Sequence, residues 1–276
     1  FKQKTAYAIF YGLVGSEMCI RDRDCGMHLR YVSREDYRDK NSKGFAEKYL
    51  LDFSEYYLIP EGGTNLLAVK GCEEILSDVE IDFDFVCCAV GTGGTISGLI
   101  NSLKPHQRAL GFPSLKGADF LIEEIAKYVI NSKWNLNLDY HFGGYAKVNS
   151  ALIDFINYFK TIHHIPLDPV YTGKMLFGLW DLIEKDYFRR GSTIIAIHSG
   201  GLQGIEGMNQ RIKNKGLQIL CDLFKYACDA LDSHWSICLS VIYFRFENVE
   251  YLHNSKSIYG LFISFNNNFI LLRFFS

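Results

Sequence analysis

Hydrophobic positions along the chain alternate between short continuous runs and helix-spaced sets. A nearly unbroken apolar run, Phe83 to Val90, enters Gly91-Thr92-Gly93-Gly94-Thr95, and an apolar segment with helical spacing, Ile96–Leu103, follows and stops before Pro105. This predicts a buried strand, a glycine turn and a helix. Upstream, Met27–Ser33 predicts a short strand, followed by a polar stretch to Lys48. Tyr56–Pro60 is apolar and ends in Glu61-Gly62-Gly63-Thr64-Asn65, a turn that also caps a helix over Leu66–Leu76, with Leu67, Gly71, Glu74 and Ile75 near one face. Downstream, Arg108–Phe112 predicts a strand. Ala118–Ile130 predicts a helix with apolar residues at 121, 122, 125 and 129. Ser150–Ile162, with Leu152, Phe155, Ile156 and Phe159, predicts another, and Gly173–Tyr187 a third. Thr193–His198 is a β-branched strand running into Ser199-Gly200-Gly201. Strand, loop and helix alternate, which predicts an α/β fold with a parallel sheet and helices on both faces. Ligands of such sheets sit at the carboxyl ends of the strands, so the two glycine turns are expected to face one cleft.

The first turn carries chemistry of its own. A strand-to-helix junction aims several backbone N–H groups, and the positive end of a helix dipole, at one point. Gly91, Gly93 and Gly94 let an anion approach the backbone, and the hydroxyls of Thr92 and Thr95 add donors. From its own residues the stretch is a phosphate cradle of unspecified purpose.

Composition narrows the partners. Hydrophobic residues make up 48% of the 276, enough for a sizeable core, and the net charge of −2 gives no reason to expect nucleic acid or an anionic membrane surface. No apolar run reaches the ~18 residues of a membrane span. Of the 8 cysteines none form a C-x-x-C pair. Cys87 and Cys88 are adjacent on a predicted strand, point to opposite faces and cannot chelate one metal. They read as buried reduced thiols of a cytoplasmic protein. His163-His164 have no acidic residue at metal spacing, so no metal site is assigned.

The composition also divides the chain. Residues 1–23 have no clear amphipathic period and no signal-peptide order, and Val14–Arg23 resembles a translated sequencing-adapter read-through. They are set aside from the fold. Residues 24–218 read as an ordinary α/β protein. Residues 219–276 lack proline, are dominated by Phe, Tyr, Ile, Leu, Asn and Ser, and read as an unrelated or non-native tail.

Four segments of the middle part, in order, are Ile59-Pro60-Glu61-Gly62-Gly63-Thr64-Asn65, Ala89-Val90-Gly91-Thr92-Gly93-Gly94-Thr95, Asp168-Pro169-Val170-Tyr171-Thr172-Gly173-Lys174-Met175 and Ala196-Ile197-His198-Ser199-Gly200-Gly201-Leu202-Gln203-Gly204. Together they resemble the 1-aminocyclopropane-1-carboxylate deaminase and D-cysteine desulfhydrase family. Tyr140-His141-Phe142-Gly143-Gly144-Tyr145-Ala146-Lys147-Val148-Asn149 fits as well. The resemblance covers about residues 24–218, and implies that 24–57 are the remnant of a smaller domain and 58–218 a large pyridoxal-phosphate-binding domain. It implies a pyridoxal 5'-phosphate enzyme with the three-layer, parallel-sheet α/β fold of the tryptophan synthase β type, truncated at its N-terminus, and a homodimer by family analogy. It implies that the cofactor phosphate lies on Gly91, Thr92, Gly93, Gly94 and Thr95. It also implies that Tyr171 stacks on the ring and relays protons, and that Thr172 or Ser199 lies near the pyridine nitrogen.

In the family, the deaminases that open a cyclopropane ring carry Glu after that tyrosine and Leu before the second glycine pair. This chain carries Thr172 and Ser199 there. A carboxylate at the pyridine nitrogen favours its protonation and makes the ring a stronger electron sink; a hydroxyl does not enforce that proton. A weaker sink suits β-elimination of a good leaving group. The expected reaction is therefore that of a D-cysteine desulfhydrase, D-cysteine to pyruvate, hydrogen sulfide and ammonia, with 1-aminocyclopropane-1-carboxylate deaminase as the alternative. Such chemistry needs a Schiff-base lysine. The family's Gly-Asn-Lys type segment is not found in this sequence, so the chain as given is expected to be an inactive fragment.

Other residues have quieter readings. Asn65 is a helix cap with some cleft exposure, and a substrate or supporting contact. His198 is a hydrogen-bonded scaffold residue. Lys174 is placed near the helix start or the phosphate, and Trp134 and Trp180 in the core. A non-catalytic phosphate- or nucleotide-binding module remains the reading from another class. The sequence has no G-K-[ST] for a P-loop, and no G-x-G-x-x-G followed by an acidic strand end for a dinucleotide site.

Overall fold

A computed structural model describes residues 7–10, 28–40, 42–50, 58–77, 79–220, 240–245, 261–265 and 268–272. The expectations for 11–23, for 51–57 and for most of 221–276 fall outside them. The chain divides into two compact units, Phe1–Pro60 and Glu61–Ser276.

In the first unit, β1 (Tyr7–Phe10) pairs in parallel with β2 (His28–Tyr31), matching Tyr7 to His28 and Phe10 to Tyr31. A strand thus forms inside the stretch set aside from the fold, where Tyr-Ala-Ile-Phe favours extended backbone. The polar stretch to Lys48 holds two helices, α1 (Arg34–Arg38) and α2 (Lys43–Leu50). Ser33 caps α1 by accepting from the Asp36 N–H at 3.0 Å, and Glu35 and Asp36 suit the positive end of the first turn. Asp36 also meets Lys48 at 2.7 Å, which with Ser33 holds its carboxyl down at about 2.

The second unit carries the site. Its elements are α3 (Leu66–Cys72), β3 (Phe85–Val90), α4 (Gly94–Asn101), β4 (Arg108–Pro113), α5 (Phe120–Ala126), β5 (Trp134–Leu136), α6 (Ser150–His163), α7 (Thr172–Glu184), β6 (Thr193–His198) and α8 (Gly204–Ile212). Three further strands follow, β7 (Ser240–Arg245), β8 (Leu261–Phe265) and β9 (Asn268–Leu272). The sheet runs β5-β4-β3-β6-β7-β8-β9. The first four strands are mutually parallel, as expected, with Phe85 opposite Arg108 and Ile194. Strands β7 to β9 are antiparallel, β7 pairing Ser240 with His198 and Arg245 with Thr193. The sheet is therefore mixed, because the open edge of β6 accepts an antiparallel neighbour.

Strand alternation sorts side chains into two cores and so builds three layers. Cys87, Leu110, Ile194 and Ala196 face α6, α7 and α8 through Leu152, Ile156, Met175, Leu179, Ile205 and Met208. Val86, Cys88, Ile195 and Ile197 face α4 and α5 through Ile96, Leu99, Ile100, Leu121 and Ile125. Cys87 and Cys88 are buried free thiols on opposite faces, and burial pushes both up, Cys88 to about 12.

Several elements differ from the expected bounds. The helix after Asn65 becomes a 3-10 turn over Glu73–Leu76, and Val69 rather than Leu67 is its buried residue; Leu66 and Leu67 are 72% and 69% exposed. Helix α4 starts at Gly94, two residues before the apolar period, because Gly93 adopts a left-handed backbone and turns the chain there. Helix α5 is confined to Phe120–Ala126, and the residues after it run to β5, the unpredicted edge strand that holds Trp134. Trp134 and Trp180 are half-buried rather than core. Helix α8, built on Ile205, Met208 and Ile212, was not predicted.

His163, at the end of α6, is buried against the rings of Phe159 and Trp180. Burial holds its pKa down to about 4, against an ordinary 6.5. Between these values the unfolded chain binds more protons than the folded one, so stability falls as pH drops. Acidification from pH 6.5 towards 4 is expected to remove on the order of 2 kcal/mol through this residue. Urea denaturation of wild type and His163→Phe across that window checks it: the variant loses part of the acid slope.

Candidate functional site

The carboxyl ends of β3 and β6 lie side by side, and the two glycine turns leave from them. After Val90 the chain passes through Gly91 to Gly93, whose φ is +93°, and enters α4. The first N–H groups of a helix have no partner within it, so those of Gly94, Thr95 and Ile96 form the donor end. Ser97 closes the first turn by bonding Gly93 O through both its N–H, at 3.0 Å, and its hydroxyl, at 2.7 Å.

Neighbours fit against this turn without room to spare. A Cβ on Gly93 would lie 2.8 Å from Ile125, and one on Gly94 2.7 Å from the Thr64 hydroxyl. The Thr64 and Thr92 hydroxyls share a 2.7 Å hydrogen bond, which ties the Glu61–Asn65 turn to the cradle. Thr92 is exposed, whereas Thr95 is hydrogen-bonded to the Cys72 thiol. Asn65 caps α3, its Oδ1 accepting from the Ala68 N–H at 2.9 Å, and stays half-exposed.

Tyr171 closes the other side. A Cβ on Gly91 would meet its ring at 3.4 Å and its hydroxyl at 3.5 Å. Burial first, then Tyr145, pushes the phenol up, so it keeps its proton at neutral pH. The Tyr145 ring stands edge-on to it at 6.1 Å and is exposed. Tyr145 belongs to a recognised segment, but no spacing in the sequence connects it to Tyr171.

Asp168 organises this corner, a role that sequence reasoning missed. Its Oδ1 accepts from the N–H groups of Val170 and Tyr171, each at 2.8 Å. Its Oδ2 accepts from the N–H and the hydroxyl of Thr172, each at 2.7 Å. The signal was available as Asp four residues before a helix start. Gly201 reaches the same carboxylate: at φ +86°, a Cβ there would lie 3.2 Å from Asp168 Cγ.

The two hydroxyls expected near a pyridine nitrogen therefore differ. Thr172 is fully buried and its hydroxyl is held by Asp168; Ser199 is exposed at the end of β6. His198 is scaffold. Its Nδ1 accepts from the Gly200 N–H at 3.2 Å, which puts the proton on Nε2, and that N–H donates to Pro166 O at 3.0 Å. Lys174, in the first turn of α7, is 1% exposed. Its ammonium donates to the carbonyls of Gly144 at 2.7 Å, His141 at 2.9 Å and Ser114 at 3.4 Å.

The parallel strands of the sheet, the helices on its two faces and the glycine turn that leads from β3 into α4 have the three-layer fold of the pyridoxal-phosphate enzymes of the tryptophan synthase β type. A crystal structure described as that of an ACC deaminase homologue superposes with a TM-score of 0.59 at 26% identity, covering 76% of this chain and 69% of that one. A putative 1-aminocyclopropane-1-carboxylate deaminase of Pyrococcus furiosus is 33% identical over 209 residues, 66% of this chain and 62% of its own. The bifunctional D-cysteine desulfhydrase/1-aminocyclopropane-1-carboxylate deaminase of Arabidopsis thaliana is 30% identical over 220 residues, 70% of this chain and 54% of its own. No family model matches. The chain belongs to the 1-aminocyclopropane-1-carboxylate deaminase and D-cysteine desulfhydrase family, and spans roughly half to two thirds of the length of the curated relatives it matches.

Proposed function

We propose that this chain carries the cofactor-phosphate and ring-binding half of a pyridoxal-phosphate enzyme, a lyase or hydrolase that deaminates a small amino acid. The observation that carries the reading is the placing of the Tyr171 ring beside Gly91, where an added Cβ would meet it at 3.4 Å, next to a helix start whose first N–H groups suit an anion. The donor set fits the group: free N–H groups and the Thr92 hydroxyl suit a phosphate, and a protonated phenol suits an aromatic ring. On this reading Gly91, Thr92, Gly93, Gly94 and Thr95 hold the phosphate, Tyr171 orients the ring and holds a proton at its hydroxyl, and Ser199 rather than Thr172 meets the pyridine nitrogen. When bound, pyridoxal phosphate supplies an electron sink for the carbon that bears the amino group. Asn65 keeps the Glu61–Asn65 turn in place through its cap.

D-cysteine is the favoured substrate. Position 172 offers a hydroxyl turned inward to Asp168, and the Asp168 carboxylate accepts four hydrogen bonds from its own segment. Neither position therefore presents a carboxylate to the ring nitrogen, which suits β-elimination better than ring opening. 1-Aminocyclopropane-1-carboxylate is the second reading, supported by the names of most relatives. The partners are a small amino acid and a second copy of the chain, the latter by family analogy. The free buried thiols favour the reducing cytoplasm, and among the described residues no helix is long and apolar enough to cross a membrane.

The reaction needs a lysine amine, and the buried Lys174 has all three protons engaged by carbonyls. The chain alone is therefore expected to bind pyridoxal phosphate reversibly, in competition with inorganic phosphate, and not to turn over. Absorbance titration followed by borohydride and peptide mapping tests this. A pyridoxyl group fixed on a lysine overturns the inactivity. No binding at all overturns the cofactor reading.

A further inference from the structure

Lys174 is fully buried, and no carboxylate hydrogen-bonds its ammonium; three backbone carbonyls do. An ammonium has three protons and no acceptor, so the set is matched one to one. Lys174 shares a stripe of α7 with Gly178 and Asp181, four and seven residues on, and the Tyr140–Lys147 loop lies along that stripe. A Cβ on Gly178 would lie 2.7 Å from the Tyr140 ring, and the Tyr140 hydroxyl donates to Asp181. The loop runs through four left-handed residues, Phe142, Gly143, Gly144 and Ala146. The two non-glycines, Phe142 and Ala146, are sterically strained there. The loop also carries Tyr145, the ring edge-on to Tyr171.

We propose that Lys174 is a positioning residue whose tethered ammonium takes the place of a bound monovalent cation. It gathers the carbonyls of Ser114, His141 and Gly144 on one charge, holds the Tyr140–Lys147 loop in its strained form and so seats Tyr145 against Tyr171. The role of that seat rests on the reading of Tyr171 given above; the clamp itself does not. A neutral amine has one proton fewer and would leave one carbonyl without a donor. Burial lowers the amine to about 8 while Asp168 opposes the shift, so it carries its charge at neutral pH.

The test compares wild type, Lys174→Ala and Lys174→Met in choline chloride, with and without potassium or methylammonium, by hydrogen exchange at residues 141–147. Lys174→Ala is expected to lose tenfold or more of the protection of the Gly144 and Lys147 amides, which donate to His141 O and Gly144 O, and to regain it with either cation. Lys174→Met, which fills the space without charge, loses protection and does not regain it; wild type is indifferent to the cation. A protected Lys174→Met loop, or a folded Lys174→Ala that no cation restores, overturns the proposal. If neither variant folds, wild type labelled with ¹⁵N-lysine decides. A slowly exchanging ammonium signal at neutral pH supports the clamp and a neutral amine overturns it. Pyridoxal-phosphate titration of the same samples separates the two claims. Wild type that binds none while its loop stays protected loses the cofactor reading and keeps the clamp.

Discussion

Asp168→Ala is expected to lower the stability of the chain by roughly 3–5 kcal/mol. The substitution leaves three backbone N–H groups and the Thr172 hydroxyl without their acceptor in a corner where Asp168 and Thr172 are both buried. Each hydrogen bond to a charged group contributes roughly 1.5–3 kcal/mol, and partial rearrangement of the start of α7 recovers some of the sum. A negative charge is also lost from the positive end of a 13-residue helix. Against a typical margin of about 5–15 kcal/mol the change is large. Asp168→Asn keeps one acceptor oxygen and is expected to fall between wild type and alanine. Because Tyr171 takes its backbone direction from this carboxylate, pyridoxal-phosphate affinity should fall with stability. Urea denaturation followed by circular dichroism, with the titration alongside, measures both. Variants within 1 kcal/mol of wild type would show that the carboxylate does not hold the segment.

Gly93→Ala should be the next most damaging single change and the most specific for the cradle. A side chain at φ +93° costs roughly 1–2 kcal/mol, and the added Cβ lies 2.8 Å from Ile125, which adds an overpacking cost of about 1–3 kcal/mol. The helix start must shift to relieve the clash, so its donors no longer converge. A loss of tenfold or more in pyridoxal-phosphate affinity is expected. Gly200→Ala is the control. It too sits at a positive φ, +83°, but nothing lies within 4 Å of its Cβ, so it carries the backbone cost alone. Equal losses in the two variants would mean that backbone strain, not the fit against Ile125, governs the turn.

Much of the fold was legible because its signals are local. Phe85–Val90 and Thr193–His198 announce buried parallel strands by continuous apolar, β-branched runs, and the structure places them side by side. Ser150–His163 is legible from its apolar period; the structure adds its cap, Asn149, whose side chain accepts from the Leu152 N–H. The cap at Asn65 was readable from the turn that it ends. Where local signals are weak, the reading failed. Trp134–Leu136 is a short strand fixed by its pairing with Ala109–Gly111, a contact across more than twenty residues, and by packing of Trp134 and Leu136 on the core. Arg34–Leu50 is polar enough to pass for a loop, and its caps and charges had to be weighed instead.

The glycine turn that centres the site shows the division. The sequence by itself determined that Val90–Thr95 is a glycine turn between a buried strand and a helix start, because glycine spacing after a buried strand acts within a few residues. It also determined the companion segments, since each is a contiguous string. Only the tertiary structure decided which side chains these segments offer to one another. Thr172 turns inward because Asp168, four residues earlier, accepts its hydroxyl, while Ser199 stays exposed at a strand end. The Lys174 ammonium is committed to structure because three carbonyls from two separate loops converge on it. Hydrogen bonds of this kind depend on distances between segments 30 to 60 residues apart. No local pattern encodes such distances; packing the helices on the sheet sets them.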